Sequence, residues 1–218
     1  KCTPPIVALA RQFVAHGFVV MTIDSPLRGE RAPRDMNRLA LLRAQFDRNN
    51  FLHYCGDYSR AVDYLASRPE VDAARLGYVG ISWGAITGIT FVAHDPRIQV
   101  MASVVAGGDF LGPIFGHTPE EAKAIAREID PVNHVGQIAP RPLLLLNMTQ
   151  DKLIARPYAE ALHKAAGKGS TIIWLNTDHD FHGPDHDKVA PTVIKFLEEH
   201  LRGSTPSAAA SGTQEAKR

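Results

Sequence analysis

A serine sits between two glycines in the run Gly80-Ile81-Ser82-Trp83-Gly84, the G-x-S-x-G spacing that lifts a hydroxyl out of a strand-to-helix turn as a nucleophile. A serine hydroxyl is weak alone and needs a base in hydrogen-bond reach and an acid that orients the base. Two distant residues qualify. Asp151 follows the apolar run Leu143–Asn147 after a short loop, and His179 follows Thr171–Leu175 in the same manner. Nucleophile, acid, base is the chain order that accompanies such a turn. The chemistry expected is attack by Ser82 on an acyl carbon, with His179 as base and Asp151 holding the imidazole. The backbone N–H of Trp83, next to the nucleophile, is the expected oxyanion donor.

Each residue also has a plainer reading. The pentapeptide can be a tight turn, and Asp151 can cap the loop before a helix at Tyr158. His179 competes with His182 and His186 in the stretch Asp178–His186, and its closeness to the strand end favours it. His179, His182, Asp185 and His186 together are plausible metal ligands by type. Their spacing matches no metal motif, and Gly183-Pro184 interrupts any helix that would align them. The expectation is therefore no metal and no cofactor.

The elements that must position these residues read as follows. Residues 4–16 have apolar positions at helical spacing, with Gly17 as a stop. Phe18–Ile23 is a continuous apolar run that predicts a strand buried on both faces. Residues 27–50 are rich in arginine and predict a surface excursion with some helix. Helix is predicted at 57–67, 83–94, 158–166 and 189–201, and strand at 76–81, 98–106, 143–147 and 171–175. Alternating helices and uniformly apolar strands predict an α/β fold, a mostly parallel sheet covered by helices on both faces. Residues 107–139 break the rhythm and predict a lid-like insertion, within which 119–129 is helical. One domain is expected over 1–202, and the Ser/Ala/Gly-rich residues 203–218 predict a disordered tail.

Composition excludes several classes. Hydrophobic residues at 44% and charged residues at 22% suit a chain with a real core, and a net charge of +1 offers nothing to nucleic acid. No apolar run reaches the ~20 residues of a membrane span. Two cysteines, Cys2 and Cys55, exclude a disulfide framework and leave one bridge open. No signal-peptide pattern is present, and the expected compartment is the cytoplasm.

At Gly17–Asp24, Arg60–Leu65, Arg75–Ser82 and Ala139–Leu146 the chain resembles the dienelactone hydrolase-like branch of the α/β-hydrolase superfamily, over about Ile6 to Leu201. The resemblance implies hydrolysis of a small-molecule ester through an acyl-enzyme. Dienelactone hydrolases carry a cysteine nucleophile where this chain has Ser82, which favours simple esters over that special lactone. Phe110, Leu111 and Phe115, with Trp83, are the expected substrate walls. Two alternatives stay open: a serine peptidase or acyl-peptide hydrolase-like enzyme, and a catalytically inactive binding module. The family's strand order, 1-2-4-3-5-6-7-8, would make Phe18–Ile23 strand 4 and Leu76–Ile81 strand 5. Strand 3 would then precede Lys1, so the sequence is expected to be a piece of a longer enzyme. An unfilled slot of ~9.6 Å would separate the two runs, since neighbouring strands lie ~4.8 Å apart. One oxyanion donor would also be missing.

Overall fold

The computed structural model describes residues 4–45, 47–109, 120, 124 and 127–202. In chain order it contains α1 (Pro4–Ala15), α2 (Arg38–Gln45), α3 (Arg48–Ala66), β1 (Leu76–Ile81), α4 (Trp83–His94), β2 (Ile98–Val104), β3 (Leu143–Met148), α5 (Arg156–Ala166), β4 (Thr171–Leu175) and α6 (Val189–Leu201). Among the described residues the sheet is β1-β2-β3-β4 in space, and every pairing is parallel.

Parallel strands need apolar side chains on both faces, and β2 and β3 supply them. Met101, Leu143 and Leu145 join one core with Phe51, Tyr54 and Val62 of α3, Ile86 and Ile89 of α4, and Leu162 of α5. Ala102, Val104, Leu144 and Leu146 point the other way, against Phe13 of α1 and Val193, Ile194 and Leu197 of α6. The sheet is thus the middle of three layers, as its sequence pattern predicts. No helix among the described residues is long and apolar enough to cross a membrane.

Three expectations need correction. Phe18–Ile23 belongs to no ladder, and its side chains are half-buried or exposed, with Val19 at 53%. A strand needs a neighbour to pair with, and a cleft of 530 Å³ lies between this run and β1. The apolar run has the composition of a strand, yet among the described residues it joins no ladder. Second, α3 begins at Arg48, nine residues before the predicted start. The side chain of Asp47 caps it by accepting from the Asn50 N–H, and Phe51 and Tyr54 extend the buried stripe of Tyr58 and Val62 by two turns. Third, β2 ends at Val104, because Val105 turns to a φ of 50° and leaves the strand. The tail 203–218 and most of the predicted helix at 119–129 lie outside the described residues.

Candidate active site

Ser82 follows the last residue of β1 and is the N-cap of α4, with φ 53° and ψ −117°. A non-glycine residue holds such a conformation only where its surroundings impose it. Here the imposing contacts are explicit. The Ser82 N–H donates to the Val104 carbonyl at 2.9 Å, continuing the β1–β2 ladder, while the Ser82 carbonyl accepts from the N–H groups of Ala85 and Ile86. Strand and helix therefore meet at one residue, and its side chain projects from the turn.

Of the two flanking glycines, only one is required by space. A Cβ on Gly80 would lie 2.5 Å from the Gly84 carbonyl oxygen and 2.6 Å from the Ala85 Cα. A Cβ on Gly84 would meet nothing within 4 Å, so steric conflict explains the first glycine of the motif and not the second. The Gly84 carbonyl accepts from the Tyr78 hydroxyl at 2.8 Å, which ties the first turn of α4 back to β1.

Asp151 and His179 come to this turn from the carboxyl ends of β3 and β4. The Ser82 Oγ lies 2.9 Å from His179 Nε2, and His179 Nδ1 lies 2.7 Å from Asp151 Oδ2. The other carboxylate oxygen, Oδ1, accepts from the backbone N–H groups of Leu153 and Ile154, both at 2.8 Å. Asp151 is thus an acceptor on both oxygens, its side chain only 1% exposed. That arrangement selects the Nδ1–H tautomer of His179 and leaves the Nε2 lone pair facing the Ser82 hydroxyl. The two backbone N–H groups that hold Asp151 are contacts that side-chain reasoning does not find.

The competing histidines go elsewhere. The His182 side chain is 81% exposed, and its Nδ1 donates to Asp178 Oδ2 at 3.2 Å. His186 donates from Nδ1 to the Gly183 carbonyl. Asp185 accepts from the Asn176 N–H and pairs with Lys188. Among the described residues, no three His, Cys, Asp or Glu side chains converge as metal ligands would. Asp178 was not singled out by sequence, yet it shapes the turn that carries His179. Its Oδ1 accepts from the N–H groups of Asp180 and His182, and its own N–H donates to the His182 carbonyl. The His182 N–H above all, with the His182 ring and the Asp180 N–H, holds the Asp178 carboxyl below its ordinary range. An aspartate two and four residues before its backbone donors is the available sequence signal.

Trp83 is the first residue of α4, so its backbone N–H lies in the helical turn where amides point outward, beside Ser82. Its ring packs edge-on against Phe51 and Tyr54, with centroids 6.1 and 5.8 Å away. Phe110, Leu111 and Phe115 lie outside the described residues. The loop that leads to them is anchored by buried Asp130, whose Oδ1 accepts from the N–H groups of Asp109 and Val132. Burial pushes the Cys55 thiol up to about 12, which removes it as a rival nucleophile. Cys2 lies outside the described residues.

A parallel sheet between two helical layers, with a serine on the strand-to-helix turn and its partners on later strand ends, is the α/β-hydrolase fold. A profile of the dienelactone hydrolase family matches residues 5–201, and the chain belongs to that family. The polyketide transferase claH of Penicillium crustosum is 32% identical over 110 residues, which are 47% of this chain and 32% of that protein. The chain thus spans about a third of the length of this curated relative. A cold-adapted esterase from an Arctic intertidal metagenomic library superimposes with a TM-score of 0.68 at 20% identity, over 92% of this chain and 77% of the esterase. Dipeptidyl peptidase 4 of Porphyromonas gingivalis gives 0.60 at 20% identity, over 69% of this chain and 23% of the peptidase. At those identities the likeness to the two solved structures shows the fold alone.

Proposed function

We propose that this chain is the catalytic part of a serine esterase that hydrolyses small-molecule carboxylic esters through an acyl-enzyme. The observation that carries the reading is the unbroken line Ser82 Oγ, His179 Nε2, His179 Nδ1, Asp151 Oδ2, with steps of 2.9 and 2.7 Å. His179 Nε2 takes the Ser82 proton as Oγ bonds to the acyl carbon. The oxyanion collects on the carbonyl oxygen beside the Trp83 N–H. Collapse expels the alcohol, which leaves with the proton from His179. Water then repeats the cycle: it gives a proton to His179, attacks the acyl carbon, and releases the acid as Ser82 recovers its proton. Asp151 keeps the imidazole turned and stabilises the imidazolium. An acceptor alcohol in place of water would give acyl transfer in place of hydrolysis.

The test is hydrolysis of p-nitrophenyl esters of two to eight acyl carbons by the wild-type chain and Ser82→Ala. Activity in the wild type and its loss in a folded Ser82→Ala protein supports the proposal. Equal rates in the two proteins would end it. A preference for amide over ester substrates of matched acyl group would favour the peptidase alternative.

A further inference from the structure

The strand that delivers Asp151 carries one residue unlike its neighbours. β3 reads four leucines, Asn147 and Met148, and all six residues are buried. A buried amide among leucines costs free energy unless its polar ends are paired. Here both ends are. Asn147 Nδ2 donates to the Ala106 carbonyl at 2.8 Å, and Asn147 Oδ1 lies 2.9 Å from His163 Nε2 on α5. The Ala106 carbonyl can only accept, so the amide nitrogen must face it. The amide oxygen then faces the ring, and the His163 proton sits on Nε2. The His163 ring packs edge-on against Trp174 of β4, with centroids 5.3 Å apart. Burial holds His163 below the ordinary histidine value, which keeps it neutral near pH 7.

The carbonyl that receives this bond belongs to a strained turn. Val105 has a φ of 50°, rare for a β-branched residue, and such a conformation lasts only where neighbours fix it. Two bonds to β3 fix it. The Val105 N–H donates to the Leu146 carbonyl at 2.8 Å, and the Asn147 side chain donates to the Ala106 carbonyl. A leucine at 147 would fill the volume and leave that carbonyl without its donor.

The loop that carries Asp151 rests on the same turn. A Cβ on Gly107 would lie 2.9 Å from Ile154 Cγ2 and 2.9 Å from Tyr158 Cβ, so these residues pack directly on the glycine backbone. The Gly108 N–H donates to the Tyr158 carbonyl at 3.1 Å. Ile154 is one of the two residues whose N–H groups hold Asp151 Oδ1, and Asp151 Oδ2 faces His179. Contact therefore runs from His163 through Asn147, Ala106 and Gly107 to Ile154, one hydrogen bond from the carboxylate. We propose, on the reading of Ser82, His179 and Asp151 as an esterase triad, that Asn147 and His163 are positioning residues: a buried clamp that fixes the turn at 105–108, against which the Asp151 loop is set.

The test pairs a readout that needs no substrate with ester hydrolysis. The 2.7 Å bond to Asp151 deshields the His179 Nδ1 proton, giving a low-field proton NMR signal that is assigned by its loss in Asp151→Asn. In folded Asn147→Leu and His163→Leu proteins that signal is expected to shift or broaden. Their kcat on a p-nitrophenyl ester should fall about 10- to 100-fold with KM within about twofold, the cost of a misplaced group rather than a missing one. His163→Gln, whose amide nitrogen can still donate to Asn147 Oδ1, should keep the signal and hold kcat within about threefold of wild type. Because the leucine variants can fail to fold, Gly107→Ala provides a second perturbation: with the clamp intact, its Cβ pushes on Ile154 and must move the same signal. A wild-type chain without the signal, or an unchanged signal in any folded leucine variant or in Gly107→Ala, overturns the proposal. A signal that depends on the clamp in a chain without Ser82-dependent hydrolysis supports the clamp and ends the esterase reading alone.

Discussion

Replacing Asp151 by Asn gives a prediction whose size follows from the hydrogen bonds. Two backbone N–H groups, from Leu153 and Ile154, face one oxygen of the side chain at 2.8 Å. Only an acceptor can sit there, so in Asp151→Asn the amide oxygen must take that place. The amide NH₂ is then forced to the other side, 2.7 Å from His179 Nδ1. It is a donor where the carboxylate was an acceptor, so His179 must present an Nδ1 lone pair and carry its proton on Nε2. That proton faces the Ser82 Oγ, and the base is lost while volume and backbone contacts are kept. Inverting the tautomer in such a site reduces kcat by about 10⁴-fold, which corresponds to about 5.4 kcal/mol of transition-state stabilisation. The assay is p-nitrophenyl ester hydrolysis at saturating substrate, with thermal unfolding as the control for an intact fold. A folded Asp151→Asn protein that keeps kcat within tenfold of wild type would refute the reasoning, because the carboxylate would then not be orienting the base.

Further outcomes follow from the same contacts. His179→Ala is expected to lower kcat by several orders of magnitude, while His182→Ala stays within about threefold and Asp178→Ala costs about tenfold in kcat with little change in KM, since loosening the turn misplaces the base; the steady-state constants of the three variants check this. Gly80→Ala, whose Cβ would press on backbone atoms at 2.5 and 2.6 Å, should destabilise the protein by about 1–3 kcal/mol. Gly84→Ala, whose Cβ meets nothing, should be neutral or stabilising by up to about 1 kcal/mol, and urea unfolding distinguishes the two. His134 and His163 are held below the ordinary histidine value of 6.5 by burial, so the unfolded chain binds their protons first. Their contribution to stability is complete above pH ~6.5 and is lost as pH falls below it, in a range where carboxylates are still ionised. The urea midpoint should therefore be lower at pH 5.5 than at pH 7.5, and a flat or inverse dependence would contradict the assignment.

What was legible in the sequence is what local pattern dictates. The strands at β1, β3 and β4 and the helices α1, α4 and α6 stand where apolar periodicity puts them. The G-x-S-x-G context located Ser82, and two short loops after apolar runs brought Asp151 and His179 to the same sheet edge. What failed depended on contacts that no local pattern records. Phe18–Ile23 has strand composition, but composition does not supply a neighbour. The start of α3 was hidden because its buried residues, Phe51 and Tyr54, are embedded among Arg48, Asn49, Asn50 and His53. The Asp178 turn has no side-chain partner pattern of its own, because the bonds that shape it run to the backbone N–H groups of Asp180 and His182. Gly84 is the opposite case: the motif is satisfied, but the steric reason holds only at Gly80.

The most direct measurement of the central claim is covalent labelling by an alkyl fluorophosphonate, followed by peptide mass spectrometry. The account predicts one adduct, on Ser82, absent in Ser82→Ala and strongly slowed in His179→Ala, because His179 Nε2 at 2.9 Å activates the attacking oxygen. An adduct on any other serine, or no adduct on a folded chain, would contradict it.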